Sequence, residues 1–130
     1  NYRLKRLKNT IIKRRQNAKY YLKNLNRSFY KLIDEKKYEF NSYHTFVLQT
    51  SKREKLIKYL KTKGIGTAIH YPVPIHLQPA SKFLKYKKGD FPRAEDQSKK
   101  ILTIPIHQNL TKQQLSNIVF YLNKFADNNK

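Results

Sequence analysis

The sequence contains no cysteine, methionine or tryptophan, only three glycines, and only 8 acidic residues among 130. Without cysteine there is no disulfide framework, no thiolate nucleophile and no thiolate zinc site. Four histidines would have to build any metal centre with the few carboxylates. No run approaches the roughly 18 consecutive apolar residues of a membrane span, and the opening NYRLKRLKNTII is too weakly apolar for a secretory signal. We therefore expect a cytoplasmic chain with no membrane partner. The absence of methionine argues that residue 1 is not a native translation start, so we expect a piece of a larger protein. The length fits one domain with a real core.

What is present in excess is positive charge. There are 29 Lys plus Arg, of which seven are Arg, and the net charge is +21. Such a field attracts phosphate-bearing partners, including nucleic acid, anionic membrane or a nucleotide-linked metabolite. The basic residues recur through almost every segment, and most are lysine, which lacks the planar fork that reads guanine. A basic nucleic-acid or anionic-surface module is accordingly the alternative reading, and a solvated lysine surface is the simpler one.

Helices and strands alternate along the chain. Residues 4–25 place Leu4, Leu7, Ile11, Ala18, Leu22 and Leu25 on one helical stripe. Within residues 42–49, SYHTFVLQ carries the β-branched and aromatic character of a strand. Ser51 and Glu54 have capping-box spacing before a helix with stripe Leu56, Ile57 and Leu60, and Gly64 stands where a left-handed cap belongs. Residues 80–86 can form a short helix, and KKGD at 87–90 a turn. Pro92 suits the first turn of a helix reaching about Lys100. ILTIPI at 101–106 reads as a strand with Pro105 near its end. Thr111 and Gln114 form a second capping box, with Leu110 and Leu115 at staple positions and a stripe through Ile118, Val119, Leu122 and Phe125. Phe46, Tyr59 and Phe120 lie at core spacing. The fold class is α/β (α+β): a long N-terminal helix and a small, mainly antiparallel sheet covered by helices. One domain spans residues 1–130, with a loose tail from about 127.

The stretch GIGTAIHYPVPIHLQPA, residues 64–80, holds two of the four histidines, three of the five prolines and two of the three glycines. A phosphate loop must follow a strand and open a helix, whereas Gly64 and Gly66 follow a helix. Pro72 and Pro74 favour an extended segment, in which His70 and His76 would stand roughly 19 Å apart, too far to share one ion. No acid lies between Glu54 and Asp90 to complete a metal shell, so no metal is expected. Ser81 has no nucleophile elbow and no local carboxylate orients an imidazole. Two readings of the segment remain open. It is either a stiff wall offering His70 and Tyr71 to a ligand, with Ile69 and Ile75 packed inward, or a half-buried strand end with His76 satisfying a turn.

SYHTFVLQ, REKLIKYLKTKGIGTAIHYPVPIHLQPA, KKGDFPRAEDQSKKILTIPI and LTKQQL, in this order, resemble the C-terminal part of the DegT/DnrJ/StrS-type, pyridoxal-phosphate-dependent nucleotide-sugar aminotransferases. The resemblance runs from about Leu4 to Phe125. It implies the small C-terminal domain of an aspartate-aminotransferase-like fold, in a homodimer that moves an amino group, usually from glutamate, to a nucleotide-linked keto sugar for polysaccharide or cell-surface glycan synthesis. It further implies His70 and Tyr71 as substrate-binding residues with His76 a weaker third, and architectural roles around Glu95 and Pro105. The family's Schiff-base lysine, pyridine-facing aspartate and phosphate site lie on a larger domain that would precede this chain, joined through the helix within residues 1–26. No lysine here sits in the family's lysine motif, so we expect pyridoxal phosphate in the complete enzyme and no cofactor or catalytic residue on this chain alone. Asn1 and Arg3 echo an upstream family motif, NYR, but the ungapped match of residues 4–25 to a later helix makes that a coincidence. A decayed or split gene product with a scaffolding role is a third expectation the sequence leaves open.

Overall fold

The computed structural model describes residues 2–129, the side chains of Tyr2 and Arg3 excepted. Asn1 and the Arg3 side chain, singled out above, therefore lie outside the described residues. The order is α1 (Tyr2–Asn24), β1 (Lys31–Leu32), β2 (Phe46–Gln49), α2 (Arg53–Thr62), two 3-10 turns (Ile75–Leu77 and Pro79–Leu84), α3 (Pro92–Lys100), β3 (Ile101–Ile104) and α4 (Lys112–Asp127). The three strands form an antiparallel sheet in the order β1-β2-β3, with Phe46 opposite Ile104 and Leu48 opposite Leu102. These four residues are buried on one face of the pleat, against Ala18 and Tyr21 of α1, Leu25 just beyond it, Leu56 and Leu60 of α2, and the α4 stripe from Leu115 to Phe125. The expected fold class holds.

Only the C-terminal half of α1 enters this core. Leu4 and Leu7, expected in the buried stripe, are exposed. Farther along the helix, the Arg14 guanidinium meets Gln108 and His44 at 3.2 Å each. Two phenols lock the far end: Tyr21 donates to the carbonyl of Pro105 at 2.7 Å and Tyr30 to that of Leu122 at 2.8 Å. Burial pushes both phenols well above the usual tyrosine range.

Local signals behave unevenly. Thr111 and Gln114 form the expected box, each side chain accepting from the other's backbone N–H. At α2 the box does not form. The cap is Lys52, Glu54 instead meets Arg53 at 2.9 Å, and Thr50 accepts from the Lys52 N–H. The α2 exit does follow expectation: Gly64 has φ +69°, its N–H reaches the Lys61 carbonyl, and Ile65 reaches back to Leu60, closing the helix. The strand expected over 42–49 shortens to Phe46–Gln49, because Tyr43 sits at φ +48° in a turn accepted by the Asn41 side chain. Phe120, expected in the core, is 57% exposed, since it follows the stripe residue Val119 onto the outer face of α4. α4 runs to Asp127, and Asn128 and Asn129 bond back to Lys124 and Ala126 where a loose tail was expected.

The irregular stretch between β1 and β2 is tied by one charge cluster. Arg15 grips both oxygens of Glu35 at 2.7 and 2.8 Å, donates to the Asn41 carbonyl, and covers the Phe40 ring at 4.4 Å. Glu35 also accepts the Asn41 N–H. The Arg15 hydrogen bond, then that N–H, holds the Glu35 carboxyl below the usual carboxylate range.

Two outcomes follow. Gly64→Ala meets nothing within 4 Å but must adopt φ +69°, so urea unfolding should show a loss of about 1 kcal/mol; Leu102→Ala, at a fully buried site, should lose about 3 kcal/mol. Because the folded Glu35 carboxyl is lowered, its contribution is complete above the unfolded value and disappears as pH falls through the folded one. Hydrogen-exchange protection across residues 34–43 should therefore drop below about pH 4, while Glu35→Gln should be poorly protected at neutral pH and show no further acid change.

Candidate functional site

After Gly66 the chain returns to the sheet. Ala68 pairs with Thr103 through two backbone hydrogen bonds of 2.8 and 3.1 Å, and the His70 Nδ1 meets the Thr103 hydroxyl at 2.8 Å. Thr103 alternates with the buried Leu102 and Ile104, so His70 is fastened to the sheet face opposite the core. Tyr71 then turns the chain away at φ +60° and is 79% exposed. The extended ribbon expected from Pro72 and Pro74 is therefore broken. The chain must leave the β3 edge immediately after its single bridge, and that departure overrides the preference of a residue before proline for extended backbone. A left-handed non-glycine residue costs about 1 kcal/mol, and such strain persists where the surroundings over-determine it. Gln78 supplies one restraint by donating to the Val73 carbonyl at 3.2 Å. Tyr71, Pro72, Val73, Gln78, Pro79 and Ala80 line an open hollow of about 520 Å³.

Ile69 packs against the core as expected, but Ile75 does not: it is 74% exposed, because the 3-10 turn over Ile75–Leu77 rotates its neighbour His76 inward instead. His76 is buried, with its ring 4.7 Å from that of Phe91, and its Nε2 lies 3.1 Å from Glu95 Oε1. The same oxygen accepts the Gly89 N–H at 2.7 Å, in a turn where Gly89 has φ +102°. That backbone hydrogen bond, opposed by burial and aided by His76, keeps the Glu95 carboxyl below the usual range. An ionised carboxylate only accepts, so the His76 Nε2 carries the hydrogen.

The three histidine-segment residues thus separate. His70 and Tyr71 are exposed, Tyr71 lining the hollow, whereas His76 is engaged internally. Sequence reasoning placed Glu95 among architectural residues without its partner; the available signal was a lone acid in the first turn of a proline-started helix following a Gly-Asp turn. Among the described residues no cluster of three metal-ligating side chains occurs. No described lysine is buried, and Lys100, one of the two least exposed, is held by Asp96 at 2.7 Å. A lysine that forms a Schiff base must be desolvated or beside another cation to be reactive, so these lysines do not fit pyridoxal phosphate. Exposed basic side chains occur on every helix, from Lys5 and Lys19 on α1 through Lys55, Lys99 and Lys112. No described helix is long and apolar enough to cross a membrane.

The model of the DegT/DnrJ/EryC1/StrS aminotransferase family matches residues 1–123. The chain is 34% identical over 85 residues to the dTDP-3-amino-3,4,6-trideoxy-alpha-D-glucose transaminase of Streptomyces venezuelae, covering 65% of this chain and 22% of that protein. It is 28% identical over 114 residues to the dTDP-3-amino-3,6-dideoxy-alpha-D-galactopyranose transaminase of Aneurinibacillus thermoaerophilus, covering 88% and 31%. The crystal structure of S. venezuelae DesV in complex with a ketimine intermediate superposes with a TM-score of 0.91 at 30% identity, over 97% of this chain and 34% of that one. The chain thus spans about a fifth to a third of the length of these relatives. With its motifs, its sheet and its helices all matched in order, the chain belongs to the DegT/DnrJ/EryC1/StrS aminotransferase family, whose members depend on pyridoxal phosphate.

Proposed function

We propose that this chain is the C-terminal part of a cytoplasmic, homodimeric, pyridoxal-phosphate-dependent aminotransferase that transfers an amino group, from glutamate, to a nucleotide-linked keto sugar in polysaccharide or cell-surface glycan synthesis. It contributes substrate-pocket wall and dimer surface, and the Schiff-base lysine belongs to another part of the enzyme. The observation that carries this reading is the His70–Tyr71 corner. A side chain fastened to the sheet by Thr103 is followed by a phenol held outward at positive φ beside an open hollow. Both groups are aligned before a ligand arrives, so little ordering entropy is spent on binding. An imidazole and a phenol offer hydrogen bonds and flat apolar faces, which suit a polyhydroxylated ring. The cofactor, when bound in the complete enzyme, supplies the carbanion chemistry of amino transfer. The residues of this chain only hold and orient the sugar. The spread of basic side chains over all helices supports this reading over a nucleic-acid module, which needs a basic stripe.

Two measurements test it. Mixed with pyridoxal phosphate and borohydride, the chain alone should yield no stoichiometric lysine adduct; a single trapped lysine would overturn the assignment of the chemistry elsewhere. In the complete enzyme, His70→Ala and Tyr71→Phe should each lower kcat/KM for the nucleotide sugar by about tenfold, the equivalent of one lost hydrogen bond. The amino-donor half-reaction, followed by cofactor absorbance, should stay within about twofold, since these residues do not touch the cofactor. Equal loss in both half-reactions would remove their role in sugar binding.

A further inference from the structure

Between Ile65 and Leu102 no apolar side chain is buried; the four buried residues of that excursion are His76, Ser81, Glu95 and Ser98, all polar. The excursion nevertheless carries the corner that presents Tyr71. Its large apolar groups, Tyr71, Val73, Ile75, Phe83, Leu84 and Phe91, are all exposed. Ile69 packs against the core before the Tyr71 corner; between that corner and Leu102 no apolar side chain is fully buried, and the hydrogen bonds that locate the loop converge on one atom. Glu95 Oε1 takes the Gly89 N–H at 2.7 Å and the His76 Nε2 at 3.1 Å, joining the turn at 87–90, the 3-10 turn at 75–77 and the first turn of α3. The imidazole is held in register by Phe91, whose ring is itself braced by Tyr86 at 5.0 Å. From Glu95 the connection continues into the sheet, because α3 passes directly into β3, whose Thr103 holds His70. His70 is therefore pinned from the sheet side and the chain after Tyr71 from the α3 side, leaving Tyr71 as the corner between two fixed ends.

We propose that His76 and Glu95 are a positioning pair: through the shared oxygen they fix the far side of the Tyr71 corner, and so set the affinity for the sugar nucleotide without touching it. This rests on the reading of His70 and Tyr71 as substrate-binding residues, and it moves His76 from contact to support. Burial makes the pair consequential. An ionised carboxylate that loses one of its donors inside the protein is left less satisfied, and the loop is then free to find another position.

The test compares His76→Leu, which keeps the volume and removes the donor, with His76→Gln, whose Nε2–H can reach the same oxygen. In the complete enzyme His76→Leu should raise KM for the nucleotide sugar about tenfold, with kcat and the amino-donor half-reaction changed less than about twofold, and His76→Gln should recover most of the loss. In the chain described here, hydrogen exchange at residues 71–91 should accelerate in His76→Leu while amides of β2 and β3 keep their protection. If Leu and Gln behave alike, or if kcat and both half-reactions fall together, the positioning role is overturned. Should His76→Leu not fold, Glu95→Leu, which removes the acceptor oxygen, is read by the same two measurements, and unchanged exchange at 71–91 overturns the proposal. The two readings fail separately. Unaltered sugar kinetics in His70→Ala and Tyr71→Phe, with exchange still accelerated in His76→Leu, would sink substrate binding and leave the latch; the reverse pattern would sink the latch alone.

Discussion

One carboxylate oxygen fixes the geometry on which the candidate site depends. Glu95 Oε1 gathers a backbone N–H and an imidazole N–H from two separate turns, in a part of the chain where nothing apolar is buried. Hydrogen bonds are individually worth little in net stability, but they are directional, whereas apolar contact is not. A loop located by direction can hold one corner at a defined place while leaving its large side chains outside. Of those side chains, Tyr71, Ile75 and Phe83 are 74–79% exposed.

The remainder of the molecule is built on the opposite rule. α1, β2, β3, α2 and α4 meet through fully buried residues, among them Ala18, Leu48, Leu56, Leu60, Leu102 and Leu122. The few polar links in that region stitch the two ends of the chain together. Asn123 donates to the Asn24 carbonyl and accepts the Asn26 N–H, and Tyr30 reaches the α4 backbone. A rigid apolar block thus carries Thr103 on its outer face, and the polar excursion is fastened to that block at Ala68, Thr103 and α3. This division places the binding corner on a loop whose supports are strands and helices, which is the arrangement that keeps a loop site accurate.

What could be read from the sequence follows the range of the interactions that decide each element. α4 with its box, α3 with Pro92, the Gly64 exit of α2 and the turn at 87–90 are set by residues within one turn of each other, and they stand as expected. Most failures are tertiary, although the α2 cap is lost to a sequence neighbour. β1 exists only because Lys31 and Leu32 find Gln49 and Leu48 across the chain, Ser51 loses its cap to the competing Thr50, and Leu4 and Leu7 stand exposed on α1. For the site, the motif pointed to His70 and Tyr71, but the left-handed corner and the inward rotation of His76 depend on Thr103 and Glu95, each about 20 to 30 residues away in sequence. Proline spacing could not encode a turn imposed from outside the segment.

The charge imbalance looks different once the acids are placed. All eight carboxylates have assigned work or an interaction. Asp34, Glu35, Glu54 and Asp96 pair with Arg27, Arg15, Arg53 and Lys100; Glu39, Asp90 and Glu95 accept backbone N–H groups in turns; and Asp127 also has a partner interaction. The scarce negative groups are those that local backbone geometry uses, while most of the described lysines stand in solvent. A field built from dispersed surface cations speeds the approach of any phosphate-bearing molecule, is screened within about 10 Å at ordinary salt, and carries no selectivity. Selectivity has to come from groups whose positions are fixed, and on the proposed reading these are supplied by the corner at residues 70 and 71, where His70 is held by Thr103, not by the lysines that dominate the composition.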